Sequence, residues 1–186
     1  MTNSKGQAPQ VESSQVVFSE SILTIRKETL LLQNGASYPY YTLSTKPHSV
    51  VVLATTYDGL YLLCNEYRHP VKKELLCCPG GYTEEGEDPL DAAKREMLEE
   101  TGFSADSFEF IGAAYPYPGI SGQKTFYVRA RGARQVAEAS PEQSEIIRVS
   151  LKTKPEIYEG IQRGFEVDAS LCAALFFESL SQNVFS

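Results

Sequence analysis

Residues 81–103 constrain this chain more tightly than any other stretch. Gly81 is followed after five residues by Glu87, and seven residues further on comes Arg95-Glu96-Met97-Leu98-Glu99-Glu100-Thr101-Gly102-Phe103. The segment reads as a capped helix. Asp88 suits the N-cap, Pro89 the first helical position and Asp91 the third, while Gly102 ends the helix. Leu90, Ala93 and Met97 fall on one face at helical spacing and are expected to pack on a sheet. Glu96 and Glu100 are then i,i+4 neighbours and Glu96 and Glu99 i,i+3 neighbours, starting roughly 5–6 Å apart. Like charges at that spacing weaken a helix unless something neutralises them. A hard divalent cation does so with oxygen ligands, and Mg²⁺ favours one or two carboxylates together with phosphate oxygens and waters. Arg95 stands i,i+4 to Glu99 and can fork onto a carboxylate to hold it in place. Gly80 and Gly81 allow a sharp turn and a close approach, so that a main-chain carbonyl can join a metal sphere. An acidic helix face alone is more often just solvated; the complete spacing sets this one apart.

The rest of the chain supplies strands around that helix. Val16–Phe18 with Ile22–Arg26, then Glu28–Gln33 and Tyr38–Leu43, have strand composition, and Asn34-Gly35 is a strong hairpin signal. The run His48–Thr55 is apolar and β-branched, as in a buried strand, and Asp58-Gly59 turns it into Leu60–Tyr67. Lys72–Cys78, Phe108–Ala114, Thr125–Ala130 and Ile146–Leu151 are further strands. Pro155–Arg163 reads as a short helix closed by Gly164, and Asp168 caps a last helix running to about Leu180. Strands and helices interleaved around one long helix imply an α/β fold with a mixed sheet between helices. Residues 1–14 read as a disordered tail, being polar with little to bury, residues 15–45 as a small antiparallel sheet, and 46–186 as the main domain.

A formal net charge of −7 argues against nonspecific adhesion to nucleic acid or anionic membrane. It leaves room for a phosphate-bearing small molecule, because a metal can supply local positive charge. No apolar stretch has the length of a membrane span, and the polar opening Met1 to Gln10 lacks the apolar core of a secretory signal. A cytoplasmic protein is the expectation. Cys64, Cys77, Cys78 and Cys172 form no paired CxxC pattern, so they are expected to be reduced thiols, mostly buried, with Cys77 and Cys78 on opposite faces of a strand. His48 and His69 belong to no visible nucleophile constellation, Lys72 and Lys73 read as solvated, and Tyr38, Tyr40 and Tyr41 more often fill a sheet face than stack on a base.

Gly81, Glu87, Arg95, Glu96, Glu99, Glu100 and Gly102, with apolar Met97 and Phe103, match the Nudix box at every defined position. The chain is therefore identified as similar to the Nudix hydrolases. Over residues Val16 to Phe177 it resembles their ADP-ribose pyrophosphatase and nucleotide-sugar hydrolase branch. That resemblance implies an α/β/α sandwich preceded by a small N-terminal sheet that contributes to a homodimer. It implies divalent metal, Mg²⁺ or Mn²⁺, on Glu96 and Glu100, with Glu99 assisting and the Gly80 carbonyl as a further ligand. Arg95 and Glu87 become orienting partners. Arg68, in Glu66-Tyr67-Arg68, resembles an arginine that contacts the diphosphate or terminal sugar, and Tyr115-Pro116-Tyr117-Pro118-Gly119 resembles the substrate loop. Tyr41, Pro118 and Gly119 thus join Arg68 as expected substrate contacts. A later loop glutamate completes such sites as general base or extra ligand; Glu145 is the first choice here and Glu142 the fallback, beside Glu99 and Arg95.

Two departures weaken the transfer of ADP-ribose specificity. The branch often carries Glu-Leu-Pro-Ala-Gly before the box, where this chain has Cys77-Cys78-Pro79-Gly80-Gly81. The substrate loop commonly has an acidic residue about where Gln123 stands. The expected reaction is metal-assisted hydrolysis of a nucleoside diphosphate sugar to a nucleoside monophosphate and a sugar phosphate. The rivals are hydrolysis of NADH or dinucleoside polyphosphates, and a Nudix-fold nucleotide sensor with little activity.

Overall fold

The computed structural model describes residues 8–45 and 48–182. In chain order the elements are β1 (Gln10–Glu20), β2 (Leu23–Leu31), β3 (Ser37–Ser44), β4 (His48–Thr56), β5 (Tyr61–Arg68), β6 (Lys73–Cys77), α1 (Pro89–Thr101), β7 (Phe103–Ser104), β8 (Ser107–Ala114), β9 (Lys124–Gln135), β10 (Ile147–Lys152), α2 (Lys154–Gln162) and α3 (Ala169–Gln182). They divide into two compact units, one of residues 8–45 and 117–123, the other of residues 48–116 and 124–182. Among the described residues no helix is long and apolar enough to cross a membrane.

The first unit is an antiparallel sheet in the order β1-β2-β3. The Asn34-Gly35 hairpin forms as its residues require. Gly35 takes φ 81° and its N–H donates to Leu32 O at 2.9 Å, while the Asn34 side chain accepts from Ala36 N at 3.0 Å. Two expectations change. β1 starts at Gln10, so Gln10 to Ser14 are paired strand rather than tail; residues 1–7 lie outside the described residues. Every β1 residue is exposed, so no apolar alternation marked the strand, and backbone pairing with β2 carries it instead. Ile22–Arg26 and Glu28–Gln33 also merge into the single strand β2, whose polar Lys27 and Glu28 lie opposite Gln15 and Ser14. In the same unit Leu43 N donates to Ile120 O at 2.8 Å and Tyr40 Oη to Gly119 O at 2.6 Å.

The second unit is a mixed sheet between helices. The strand order is β10-β5-β4-β9-β7, with β6 beside β5 and β8 beside β9; β4 and β9 run parallel and the other pairs antiparallel. The period-2 alternation of β4 decides the layers. Val50, Val52 and Ala54 pack with Ala92, Ala93 and Met97 of α1, whereas Val51 and Leu53 pack with Ile157 of α2 and Leu171, Ala174 and Leu175 of α3. Met97 is fully enclosed, a burial worth about 2 kcal/mol. Both helix starts read from the sequence are present: the Asp88 carboxylate accepts from Leu90 N, and that of Asp168 from Ser170 N, each at 2.8 Å. The two-residue β7 is too short to have left a periodic signal.

One irregularity of this sheet positions the box. β4 and β5 pair only at Ala54–Leu62 and Thr55–Tyr61 and then separate. β6 pairs with β5 from Arg68 back to Cys64, and the chain beyond it continues against β4, with Val52 N donating to Pro79 O at 2.9 Å and Val50 N to Gly81 O at 2.8 Å. Pro79–Gly81 is thereby held in the plane of the sheet beneath α1.

Candidate active site

Glycines let the carboxylate helix come down on this segment. A Cβ on Gly80 would lie 2.2 Å from Val50 O, and one on Gly81 would lie 2.5–2.6 Å from the Glu96 carboxyl group. Gly102 closes α1 with φ 73°, its N–H reaching Leu98 O at 2.8 Å, and a Cβ there would lie 2.3 Å from Ala137 O. Gly80 and Gly102 are fixed by close approach of backbone, and Gly102 also by its left-handed conformation, whereas at Gly81 the Glu96 carboxyl group would have to move aside.

Arg95 ties the acidic residues together. Its Nε and Nη2 donate to the two oxygens of Glu87 at 3.0 and 2.9 Å and Nη2 also to Tyr82 O at 3.0 Å; Nη1 reaches Glu96 at 2.7 Å and Glu99 at 3.2 Å. The guanidinium lowers the pKa of Glu87. Glu96 is buried and its pKa rises, because desolvation outweighs the favourable field of Arg95 and Glu99 and Glu145 add repulsion.

Glu100 is the least compensated group. It is 4% exposed, and among the described residues it accepts one hydrogen bond, from Gly80 N at 2.8 Å. Burial pushes its pKa up to about 8; the Gly80 N–H opposes this, while Glu145, Glu96 and Glu66 add repulsion. A desolvated carboxyl group facing three others calls for a cation. Among the described residues no three acidic, imidazole or thiol side chains meet closely enough to hold an ion as they stand. Glu96 is turned to Arg95 and Glu100 to Gly80. The donors present are nevertheless hard oxygens with excess negative charge, the set that Mg²⁺ or Mn²⁺ takes.

The expected residues fall in different places. Glu96, Glu99, Glu100, Arg95 and Gly80 come together at the junction of α1 and the 79–81 segment. Burial is the main cause of the raised pKa values of Glu66, Glu96 and Glu100, and the charge of Glu145 adds repulsion to each. Its carboxylate accepts from Glu142 N at 2.8 Å. Glu142 is exposed and meets Glu145 through its backbone. Arg68 projects from the end of β5 and pairs with Glu66 at 2.6 Å. Tyr41, Pro118 and Gly119 belong to the other unit, where all three are exposed.

Sequence reasoning missed Glu66 as a site residue. It is 6% exposed, and the Cys77 thiol lies 3.8 Å from its Oε2. The signal was available: Glu66 follows the apolar run Tyr61–Cys64 and stands two positions from Cys64, so it shares the buried face. The cysteines otherwise behave as read. All four are free, Cys64, Cys77 and Cys78 are buried, and burial pushes those three thiols well up. Cys77 faces Glu66 while Cys78 joins the core beneath α3.

A family model described as the NUDIX domain matches residues 45–160, more than half of the chain. The chain belongs to the Nudix family. The ADP-ribose pyrophosphatase of Bacillus subtilis is 32% identical over 105 residues, and the match spans 56% of this chain and 56% of that enzyme. A methanol dehydrogenase activator of Bacillus methanolicus is 25% identical over 167 residues, 89% of this chain and 90% of its own. A crystal structure of an ADP compounds hydrolase shares the fold, with a TM-score of 0.82 over 97% of this chain and 98% of its own at 22% identity. The match to the ADP-ribose pyrophosphatase spans little more than half of either chain.

Proposed function

We propose that this Nudix protein hydrolyses the diphosphate bond of ADP-ribose or a related nucleoside diphosphate sugar in a divalent-metal-dependent reaction. The products are a nucleoside monophosphate and a sugar phosphate. The observation that carries the reading is Glu100, a buried carboxyl group in the repulsive field of Glu145, Glu96 and Glu66 whose one hydrogen bond among the described residues comes from Gly80 N. Glu96 and Glu100, with Glu99 and the Gly80 carbonyl, would hold Mg²⁺ or Mn²⁺. When bound, the metal neutralises charge on the phosphates and lowers the pKa of an attacking water.

The chain's own groups do the rest. Glu145, whose charge acts on Glu96 and Glu100, accepts the water's proton. Arg68 offers its planar fork to the diphosphate. Arg95 keeps Glu96 and Glu99 from drifting apart by holding both on one nitrogen. A second copy of the chain covers the exposed N-terminal sheet, where Val11, Val16, Val17, Phe18 and Tyr38 are each at least 43% exposed, giving a homodimer. Four free thiols suit a reducing compartment such as the cytoplasm.

The test is phosphate release, coupled through a phosphatase, from ADP-ribose, ADP-glucose, GDP-mannose, UDP-glucose, NADH and diadenosine polyphosphates with Mg²⁺ or Mn²⁺. Metal-dependent turnover concentrated on ADP-ribose or one nucleotide sugar supports the reading. Preference for NADH or the polyphosphates removes the substrate class. No turnover on any of them, with nucleotide still bound, makes the protein a sensor. Light scattering on the eluting protein tests the dimer.

A further inference from the structure

Arg68 is an exposed arginine at a strand end, yet it is not a free one. Its Nη1 lies 2.6 Å from Oε1 of Glu66, whose side chain is 8% exposed against 43% for the arginine. Both stand on β5 two residues apart, so both project from the same side of the sheet as Cys64. The pair sits directly across from Leu75 and Lys73 of β6. The second oxygen of Glu66 faces the Cys77 thiol at 3.8 Å. One guanidinium nitrogen is thus ion-paired to a carboxylate buried inside the protein. A guanidinium has five N–H donors, and among the described residues Glu66 is the one ion-pair partner of the Arg68 guanidinium. The ion pair keeps the guanidinium beside Glu66 and leaves its N–H donors unspent.

An ordinary surface pair does not bury its acid. Burying Glu66 among carboxylates is unfavourable: desolvation raises its pKa, as do Glu145 and Asp168, and Arg68 is the largest opposing influence. A strand position that only needed to be filled would do better with an apolar side chain, as Leu62 and Leu63 do in the same strand. What the carboxylate adds is orientation for the arginine.

We propose that Glu66 is a positioning residue for substrate binding: it aims the Arg68 guanidinium so that its free edge receives the diphosphate. This rests on the reading of Arg68 as a diphosphate contact. An arginine stem with four rotatable bonds otherwise loses its freedom only when substrate arrives, and pre-ordering it removes that cost from binding. Glu66 acts through Arg68 and touches neither the reacting atoms nor the metal, so its loss weakens binding of substrate more than turnover.

The experiment is steady-state kinetics with ADP-ribose at saturating Mg²⁺ for wild type, Arg68→Ala, Glu66→Gln and the double variant, with thermal unfolding as a check of the fold. Arg68→Ala is expected to raise KM about tenfold or more with kcat nearly unchanged. Glu66→Gln is expected to raise KM about threefold to tenfold, again with kcat nearly unchanged. The double variant should be no worse than Arg68→Ala alone, since Glu66 has nothing to aim once the arginine is gone. The proposal is overturned by a normal KM in Glu66→Gln beside an impaired Arg68→Ala, or by penalties that multiply in the double variant. A fall in kcat at constant KM in Glu66→Gln overturns it too, because Glu66 then acts with the box carboxylates. A normal KM in Arg68→Ala instead removes the diphosphate contact itself, a separate failure that takes the proposal with it.

Discussion

Glu100 and Glu178 are buried to the same degree, 4% and 3% exposed, on opposite faces of one sheet. Glu178, beneath α3, accepts from Tyr61 Oη through both oxygens at 3.1 and 2.9 Å and from Lys154 Nζ at 2.9 Å. Glu100, beneath α1, has a single backbone N–H and otherwise faces carboxylates. Equal burial of the same side chain therefore leads to two results. Where the fold supplies a cation and a hydroxyl, the buried acid is a structural joint between β5, α2 and α3. Where it withholds them, the acid is left for a ligand to complete.

The sharpest way to break this contrast is Glu100→Gln. Metal-held charge stabilisation is worth several kcal/mol and each 1.36 kcal/mol is tenfold in rate, so kcat/KM should fall roughly 10³-fold. Without metal the variant's Tm should equal or exceed wild type above pH 4.5, because a glutamine needs no proton to be neutral in the folded state. Near-normal turnover would falsify the assignment of Glu100 as a ligand.

Glu178→Ala should do the reverse. It leaves Lys154 and the Tyr61 hydroxyl without their acceptor, at a cost of about 2–3 kcal/mol, toward the lower end because Lys154 is a third exposed. Tm should fall by roughly 5–10 °C, while kcat/KM per folded molecule stays within about twofold of wild type. A large loss of turnover in protein that remains folded would place Glu178 in the catalytic machinery and erase the distinction between the two faces.

The sequence made these two acids unequal in legibility. Glu100 was readable because local rules fix its helix: Asp88, Pro89 and Gly102 mark the ends, and the spacing from Gly81 identifies the box. The α/β/α layering was readable for the same reason, since β4 alternates and the helices are capped. Glu178 left no mark, because Tyr61 and Lys154 lie 117 and 24 residues away and only the tertiary fold unites them. Glu66 was hidden in part by position, a single acid within a strand, and became visible through the Cys77 and Arg68 contacts. β1 was half missed because its stability comes from hydrogen bonds to β2, which a polar sequence does not announce.

The third prediction concerns pH and metal together. The folded Glu100 carboxyl keeps its proton up to about 8, whereas the ordinary value is 4.5. Proton binding therefore favours the folded state across that window, and metal-free protein should lose stability as pH rises through it, by no more than about 1.4 kcal/mol per pH unit from this group. Glu66 and Glu96, also raised, add to the same sign. Glu87, Asp106 and Glu156, which are lowered, act below 4.5 and leave the window untouched. Unfolding in EDTA between pH 5 and 8 should show a falling Tm, and Mg²⁺ should restore more of it at pH 8 than at pH 5. A Tm in EDTA that is flat or rising over this range would mean that Glu100 is already neutralised by the protein.

The smallest effect should come from Glu99→Gln, one residue from Glu100 on the same helix. Its side chain is 50% exposed and its link to Arg95, at 3.2 Å, is the longest of that arginine's ion pairs. Water already solvates this carboxylate, so removing its charge leaves nothing buried without a partner, and an ion pair so exposed contributes below about 1 kcal/mol. Tm should therefore move by less than about 3 °C. Arg95 retains Glu87 and Glu96, so Glu96 keeps its orientation. What is lost is one oxygen donor at the edge of the metal site, which second-rank ligation limits to roughly tenfold to hundredfold in metal affinity or activity. Titrating Mg²⁺ should therefore show a weakened metal requirement that higher concentration largely overcomes, unlike Glu100→Gln, which no concentration should rescue. If Glu99→Gln proves as inactive as Glu100→Gln at saturating metal, burial does not rank the ligands, and the contrast between desolvated and solvated acids fails within α1 itself.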